Sequence, residues 1–439
     1  MSENKTFKEK FLAFYEKDST KTLMSSLISI LIGLLVGFIV MVLISVLDKN
    51  NSISSAFQGL RYMFLGPFGS KTTANVLSNT GNMIFYSVPL IFTGLSVAIA
   101  YKTGLFNIGA PGQFIMGTIG SLFVALSIQT TTAGGAVLVW LLALLTGTIC
   151  GALWGLVPGL LKAFFDINEV ILFIMTNWIA ANLASWIFKY AYAIQSKENT
   201  KGGFLMKPIL NHTPKLGLDK LFPNSMIDIG IFIAIIVAII VSIILNKTTF
   251  GYELKACGAN KNSAKYAGMN EKRNIILSIM IAGALSGMGA ALYYLNPAIE
   301  YKFNSQYSSL PAYGFNGIAS AFLANCNPIG TIFSSIFIRY LNMGGDKLNN
   351  VGFNRYVADI IIAVIIYMAG FSRIIKENLL RRSNNRKSKG ANANAETKEP
   401  EPQITITEVK LNEPEEKPVE EVPAPDIEPD SSDEGKEDK

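Results

Sequence analysis

Residues 23–47 form an unbroken apolar run with no charged side chain, and similar runs recur at 82–101, 135–161, 227–245 and 275–295. About 20 residues of helix cross the hydrocarbon core of a bilayer. Inside lipid each such segment has to satisfy its own backbone hydrogen bonds, which makes helix the conformation for these runs. The pattern predicts an all-α, polytopic transmembrane bundle. Composition agrees: the 439 residues are 50% hydrophobic and only 16% charged, too apolar for a soluble protein of several domains.

Taken in order, the chain opens with a hydrophilic cytoplasmic segment, 1–22, carrying Lys5, Lys8, Lys10, Lys17 and Lys21. The run that follows is too long for a signal-peptide core and reads as an uncleaved first span. Further spans are expected at 82–101, 111–128, 135–161, 170–194, 227–245, 275–295, 308–324, 328–343 and 356–372, about ten in all. Residues 48–80 and 195–226 then fall outside as polar loops. Spans eight and nine, joined by the tight turn Asn325-Cys326-Asn327-Pro328, are the short ones. Arg373, Lys376, Arg381, Arg382, Arg386, Lys387 and Lys389 follow the last span, and such basic clusters stay on the cytoplasmic side. Both termini are therefore expected inside. The transmembrane domain covers 23–375, and 376–439 is a basic, then acidic, Pro- and Glu-rich tail. Residues 390–439 hold 16 acidic and five basic residues and cannot bury enough apolar surface to fold, whereas the rest of the chain carries a net charge of +17.

Two local patterns stand out. In the fourth span Gly147, Gly151, Gly155 and Gly159 recur every four residues, so they share one helix face and let a neighbouring backbone approach closely. Between the sixth and seventh spans, 250–273 carries Lys255, Lys261, Lys265, Lys272 and Arg273 against Glu253 and Glu271. That excess marks a cytoplasmic loop. Asn260 or Asn262 can cap a short helix there, and Gly268 can end it by adopting a left-handed conformation.

Within this loop Gly258-Ala259-Asn260, Ala264 and Tyr266-Ala267-Gly268-Met269 resemble the coupling loop of ABC importer permeases of the family handling ribose-like sugars, nucleosides and branched-chain amino acids. Two further segments agree: Gly104 to Gln113 (GLFNIGAPGQ), and Gly314-Phe315-Asn316-Gly317-Ile318-Ala319 followed by Asn327-Pro328-Ile329-Gly330. The resemblance covers about 80–375 and is nearest in wording to nucleoside permeases. Pro111 stands where many relatives carry an acidic residue. The resemblance implies that Gly258, Asn260, Ala264, Tyr266, Ala267 and Gly268 dock a separate ABC ATPase. It also implies an extracytoplasmic solute-binding protein and a second permease chain, identical or paralogous, enclosing one pathway. Lipid is the remaining partner, and none of these is a nucleic acid.

No Gly-x-x-x-x-Gly-Lys-Ser/Thr motif occurs, so the chain lacks a recognisable phosphate cradle, needs no cofactor of its own, and leaves ATP hydrolysis to another subunit. The rival reading, a self-sufficient secondary transporter or channel, normally needs carboxylates near mid-membrane. Here only Arg339 and Asp359 clearly fall inside spans, and they are expected to pair with each other, because an isolated charge in a span is costly. Cys150, Cys257 and Cys326 suggest neither a disulfide nor a metal site. A neutral polar solute needs amides and aromatic faces along its path. Phe106, Asn107, Gln113, Asn177, Trp178, Asn182, Phe315 and Asn316 supply them. The pathway is lined rather than catalytic, and ribose-like sugars are the alternative cargo to nucleosides.

Overall fold

The computed structural model describes residues 18–47, 52–70, 72–197, 203–303, 310–354 and 356–370. The chain divides into Met1–Asn384 and Asn385–Lys439, and the second unit lies wholly outside the described residues. So do most of the N-terminal segment, the basic cluster at 373–389 and the acidic tail.

The helices are α1 (Asp18–Leu47), α2 (Ile53–Leu65), α3 (Thr73–Lys102), α4 (Ala110–Ser127), α5 (Ala133–Phe165), α6 (Glu169–Tyr190) and α7 (Gly230–Lys247). They continue with α8 (Thr249–Ala259), α9 (Lys261–Tyr266), α10 (Glu271–Tyr294), α11 (Ala312–Leu323), α12 (Pro328–Asp346) and α13 (Tyr356–Gly370). Among the described residues there is no strand, only isolated bridges pairing Gln195 with Leu205 and Phe204 with Lys302. Seven helices, α1, α3 to α7 and α10, are long and apolar enough to cross a membrane. α11 has 12 residues and rises about 18 Å, less than the hydrocarbon thickness.

α3 is the hub. Every residue from Ser87 to Ala100 is buried, and α4, α7, α10, α11 and α12 all pack on it. Beside it, α5 lies along α10 through the glycine stripe. A side chain at Gly151 would collide with the Gly283 carbonyl oxygen, and a Cβ at Gly155 would sit 2.5 Å from that of Ile279. One at Gly147 would come within 2.9 Å of the Gly117 carbonyl oxygen on α4. Helices in lipid gain little from hydrophobic burial against one another, so such close backbone packing carries the association. The outward face of α5, with Leu138, Leu145 and Leu153 exposed, is apolar as a lipid-facing surface is.

The polar loop expected at 48–80 is instead largely helical. α2 is amphipathic, capped by Ser52, which accepts from the Ser55 amide at 3.3 Å, and it buries Ala56, Gly59 and Met63. Tyr340 donates to the Phe64 carbonyl, and Lys347 Nζ donates to the Gly66 carbonyl at 2.7 Å, tying α2 to α12. α3 starts well before 82 because Thr72 caps it, accepting from the Asn75 amide.

Candidate functional site

One end of the bundle gathers the α3–α4 turn, the α5–α6 turn and the segment α8–α9. Each helix that begins in or after this segment is started by a polar side chain. Thr248 accepts from the Gly251 amide at 3.1 Å, Asn260 from Ser263 at 3.0 Å, and Asn270 from Arg273 at 3.0 Å. The cap on α9 is thus Asn260 and not Asn262. Beyond α9, Gly268 adopts a left-handed φ of 80°, while the Met269 amide returns to the Ala264 carbonyl at 3.1 Å. The loop folds as two helices rather than one, because 249–259 carries its own cap and buries Gly251, Leu254 and Cys257.

This pair is fixed to the bundle yet offers a free face. Ala264 is 3% exposed, whereas Tyr266 is 95% exposed and Ala267 is exposed beside it. Lys261 pairs with Glu271 at 3.5 Å, and Asn274 Nδ2 donates to Glu253 Oε2 at 3.1 Å, joining α8 to α10. In the α5–α6 turn Lys162 holds Asp166 at 2.9 Å and Glu169 at 3.1 Å. Its hydrogen bond keeps the exposed Asp166 carboxyl below the usual range, and the nearby Lys261 acts in the same direction.

Gly258, at the end of α8, rests directly on the backbone of Lys102 and Gly104: any side chain at 258 would collide with the Lys102 carbonyl oxygen. Gly104 itself has a φ of 77°, so this turn favours glycine. The same turn leads to the amides expected along the solute path. Asn107, fully buried, donates to Ser96 Oγ at 2.9 Å and to Gln113 Oε1 at 3.1 Å, and its Oδ1 accepts from the Gly109 amide at 3.0 Å. Asn177 reaches in from α6, donating to the Ile108 carbonyl at 2.9 Å and accepting from the Gly112 amide at 2.8 Å. The structure therefore brings Asn107, Gln113 and Asn177 together as a clamp that starts α4, their polar atoms engaged with one another and with the backbone.

The other path residues are dispersed. Phe106 is half-buried against Phe322, with centroids 5.8 Å apart. Trp178 and Asn182 are exposed on the outward face of α6, where Asn182 donates to the Trp178 carbonyl. Phe315 is exposed and Asn316 half-buried on α11. Arg339 and Asp359 do not pair: among the described residues no ion pair joins them. The Arg339 guanidinium lies over the Tyr86 ring instead, 4.7 Å from its centre, while Asp359 is exposed on α13.

Sequence reasoning misses the aromatic group in the same region. Phe85 and Tyr86 of α3, Tyr293 of α10, Phe114 of α4 and Tyr313 of α11 form a continuous chain, with Tyr293 and Tyr313 centroids 4.8 Å apart and Phe85 stacked on Tyr293 at 5.8 Å. A tyrosine pair at the end of one span, with a lone arginine in another, is the clue the sequence holds.

These features define a multi-pass membrane protein with a short two-helix element, α8–α9, seated against one end of the bundle. Residues 79–370 match the family described as branched-chain amino acid transport system, permease component, and the chain belongs to that family. It is similar to the guanosine ABC transporter permease protein NupP of Bacillus subtilis, 32% identical over 67% of this chain and 82% of that protein. The nucleoside ABC transporter permease protein NupB of Lactococcus lactis is 32% identical over 76% of this chain and 90% of its own length. The glucose ABC transporter permease protein TsgB13 of Haloferax volcanii is more distant, 25% identical over 70% and 79%. No solved structure matches.

Proposed function

We propose that this chain is the transmembrane subunit through which a nucleoside crosses the cell membrane by alternating access, driven by a separate ABC ATPase. The two relatives that are 32% identical are named for guanosine and nucleosides, whereas the glucose permease is 25% identical, which supports a nucleoside cargo over ribose-like sugars. The coupling end, where basic residues collect, faces the cytoplasm in this reading. The seven long spans with α12, α13 and the short α11, which crosses only in part, then make about ten membrane segments with both termini inside. An extracytoplasmic binding protein delivers solute to the opposite end, and a second permease chain completes the pathway. The face of α11 carrying Phe315 and Asn316, with Phe106 below it, lines the path. Asn107, Gln113 and Asn177 act on it indirectly, by holding the start of α4.

The observation that carries the proposal is the seat of α8 on the α3–α4 turn. The ATPase grips the exposed Tyr266 face of α9, and the Gly258–Gly104 contact passes its movement to α3 and α4. A secondary transporter has no use for such a docking helix. The test is competition for uptake of labelled uridine by unlabelled uridine, ribose and leucine, in cells carrying the complete transporter. Inhibition by uridine alone is expected. Absence of labelled-uridine uptake, or its inhibition by leucine or ribose as strongly as by uridine, would sink the nucleoside assignment.

A further inference from the structure

The charge that the sequence pairs with Asp359 has another setting. Arg339 is only partly exposed, its guanidinium lies 4.7 Å from the centre of the Tyr86 ring, and its Nε is buried without a hydrogen-bond partner. A cation within a membrane bundle is costly and normally has a partner that neutralises it or accepts its protons. A ring face meets part of this need, since the quadrupole of tyrosine attracts a cation, but it accepts no directed hydrogen bond from Nε. The site thus holds a planar donor with capacity left over.

Around it the flat surfaces converge from three helices. Tyr86, Tyr293 and Tyr313 are each half-buried, and neighbouring rings lie at 6.2 Å and 4.8 Å between centroids. Phe85 and Phe114 back this row from behind, both buried. A row of half-open rings beside an underused guanidinium suits a flat, uncharged heterocycle with acceptor atoms on its edge. Bases stack on aromatic faces whatever their identity, and a guanidinium fork reads carbonyl and ring-nitrogen acceptors. A sugar offers hydroxyls and no π-face, and leucine offers neither.

The geometry points to Tyr86, Tyr293, Tyr313 and Arg339 as the base-binding station of the pathway, taking the heterocycle of a neutral nucleoside. The base stacks on the tyrosine row, and Arg339 turns from the Tyr86 face to donate to the base edge. This rests on the nucleoside reading above and adds the residues that recognise the base. It also explains why Asn107, Gln113 and Asn177 need not touch solute, since their bonds are used in the α4 clamp.

The experiment uses the complete transporter, with its ATPase, second permease chain and binding protein, in membranes. Tritiated uridine uptake is measured for wild type, Tyr86→Leu, Tyr293→Leu, Tyr86→Phe, Tyr293→Phe and Arg339→Gln, and wild type is photolabelled with 4-thiouridine. The Leu variants stay apolar but lose the flat face, and their apparent affinity should fall about tenfold or more. The Phe variants, which keep the ring and lose only the hydroxyl, should stay near wild type, and the photolabel separates base contact from packing. The Arg339→Gln variant should fall with the Leu variants. Photolabel should lie on peptides containing Tyr86, Tyr293 or Tyr313. Label confined to other peptides, or Leu variants with unchanged uptake, overturns the station while leaving nucleoside transport standing. If the Leu variants fail to assemble, the wild-type label decides. A wild-type complex that neither takes up nor is labelled by any nucleoside overturns the transport reading and the station with it.

Discussion

The two faces of α10 are built from opposite materials. Toward α5 it presents Gly283 and Gly287, pressed onto the backbone of Gly147 and Gly151 with no room for a side chain. Toward α3 and α11 it presents Tyr293 and toward α4 Tyr294, large rings set among other rings, and just past its end Asn296 donates to the buried carboxyl group of Asp228. The first face is a permanent weld, because close-packed backbone has one arrangement. The second can rearrange, since rings slide over one another with little change in contact. Bundles that alternate between two openings need both a body that moves as one and a seam along which it moves.

The largest effect should come from breaking the weld. Gly151→Leu forces a branched side chain against the Gly283 carbonyl, and overpacking of this kind costs about 3 kcal/mol or more where backbone rather than side chain has to yield. Membrane-extracted protein should lose most of its folded fraction, as read by thermal unfolding in detergent. A comparably large residue on the aromatic face, Tyr293→Leu, should leave that fraction nearly intact. Equal damage from both would erase the distinction between the faces.

The second effect is one of pH. Asp228 precedes α7, is 2% exposed, and accepts from Asn296 Nδ2 at 2.9 Å and the Gly230 amide at 2.9 Å. Burial outweighs these bonds and the nearby Lys215, and raises its carboxyl to about 7. The native state therefore keeps this proton at pH values where an unfolded Asp, near 3.9, has lost it. Stability from this group is fully present below about pH 4 and falls as pH rises toward 7, by about 1.4 kcal/mol for each pH unit crossed. Comparing unfolding of wild type and Asp228→Asn between pH 4 and 8 should show the gap moving in favour of the variant by a few kcal/mol as pH rises. A constant gap would mean that Asp228 does not titrate in this range.

Two smaller effects concern the α3–α4 turn and the cap of α9. Asn107→Ala strands Gln113 and the Gly109 amide, and should lower stability by about 1–3 kcal/mol. Asn260→Ala removes only the exposed cap of α9, worth about 1 kcal/mol, and should weaken ATPase association more than it lowers protein stability. Native mass spectrometry of the complex separates the two variants.

Much of this is legible in the sequence. The four-residue glycine spacing encodes the weld because a helix repeat fixes which residues share a face, whatever the partner. Asn260 and Gly268 mark the ends of α9 because caps and left-handed residues act within a few positions along the chain. The amides at 107, 113 and 177 are visible but not their use, since the same side chain serves a solute or another helix equally well. Pairing Arg339 with Asp359 follows from the logic that two lone charges seek each other. A tyrosine ring on α3, more than two hundred residues away, is an acceptable alternative that composition does not reveal. α2 reads as loop because its apolar residues are spaced along one face rather than gathered in a run.

The claim at the centre is that α9 transmits work from an ATPase to the bundle, and a single variant tests it most directly. Ala264 is buried, and its amide donates to the Asn260 carbonyl at 3.1 Å. Ala264→Pro removes that donor inside a six-residue helix, at a local cost of about 3 kcal/mol, while the transmembrane helices keep every contact. In proteoliposomes containing the full transporter, ATP-driven uridine uptake and ATPase co-purification should be lost together, with normal amounts of permease in the membrane. Normal ATPase binding and normal uptake in Ala264→Pro would contradict the account and reduce α8–α9 to a connector.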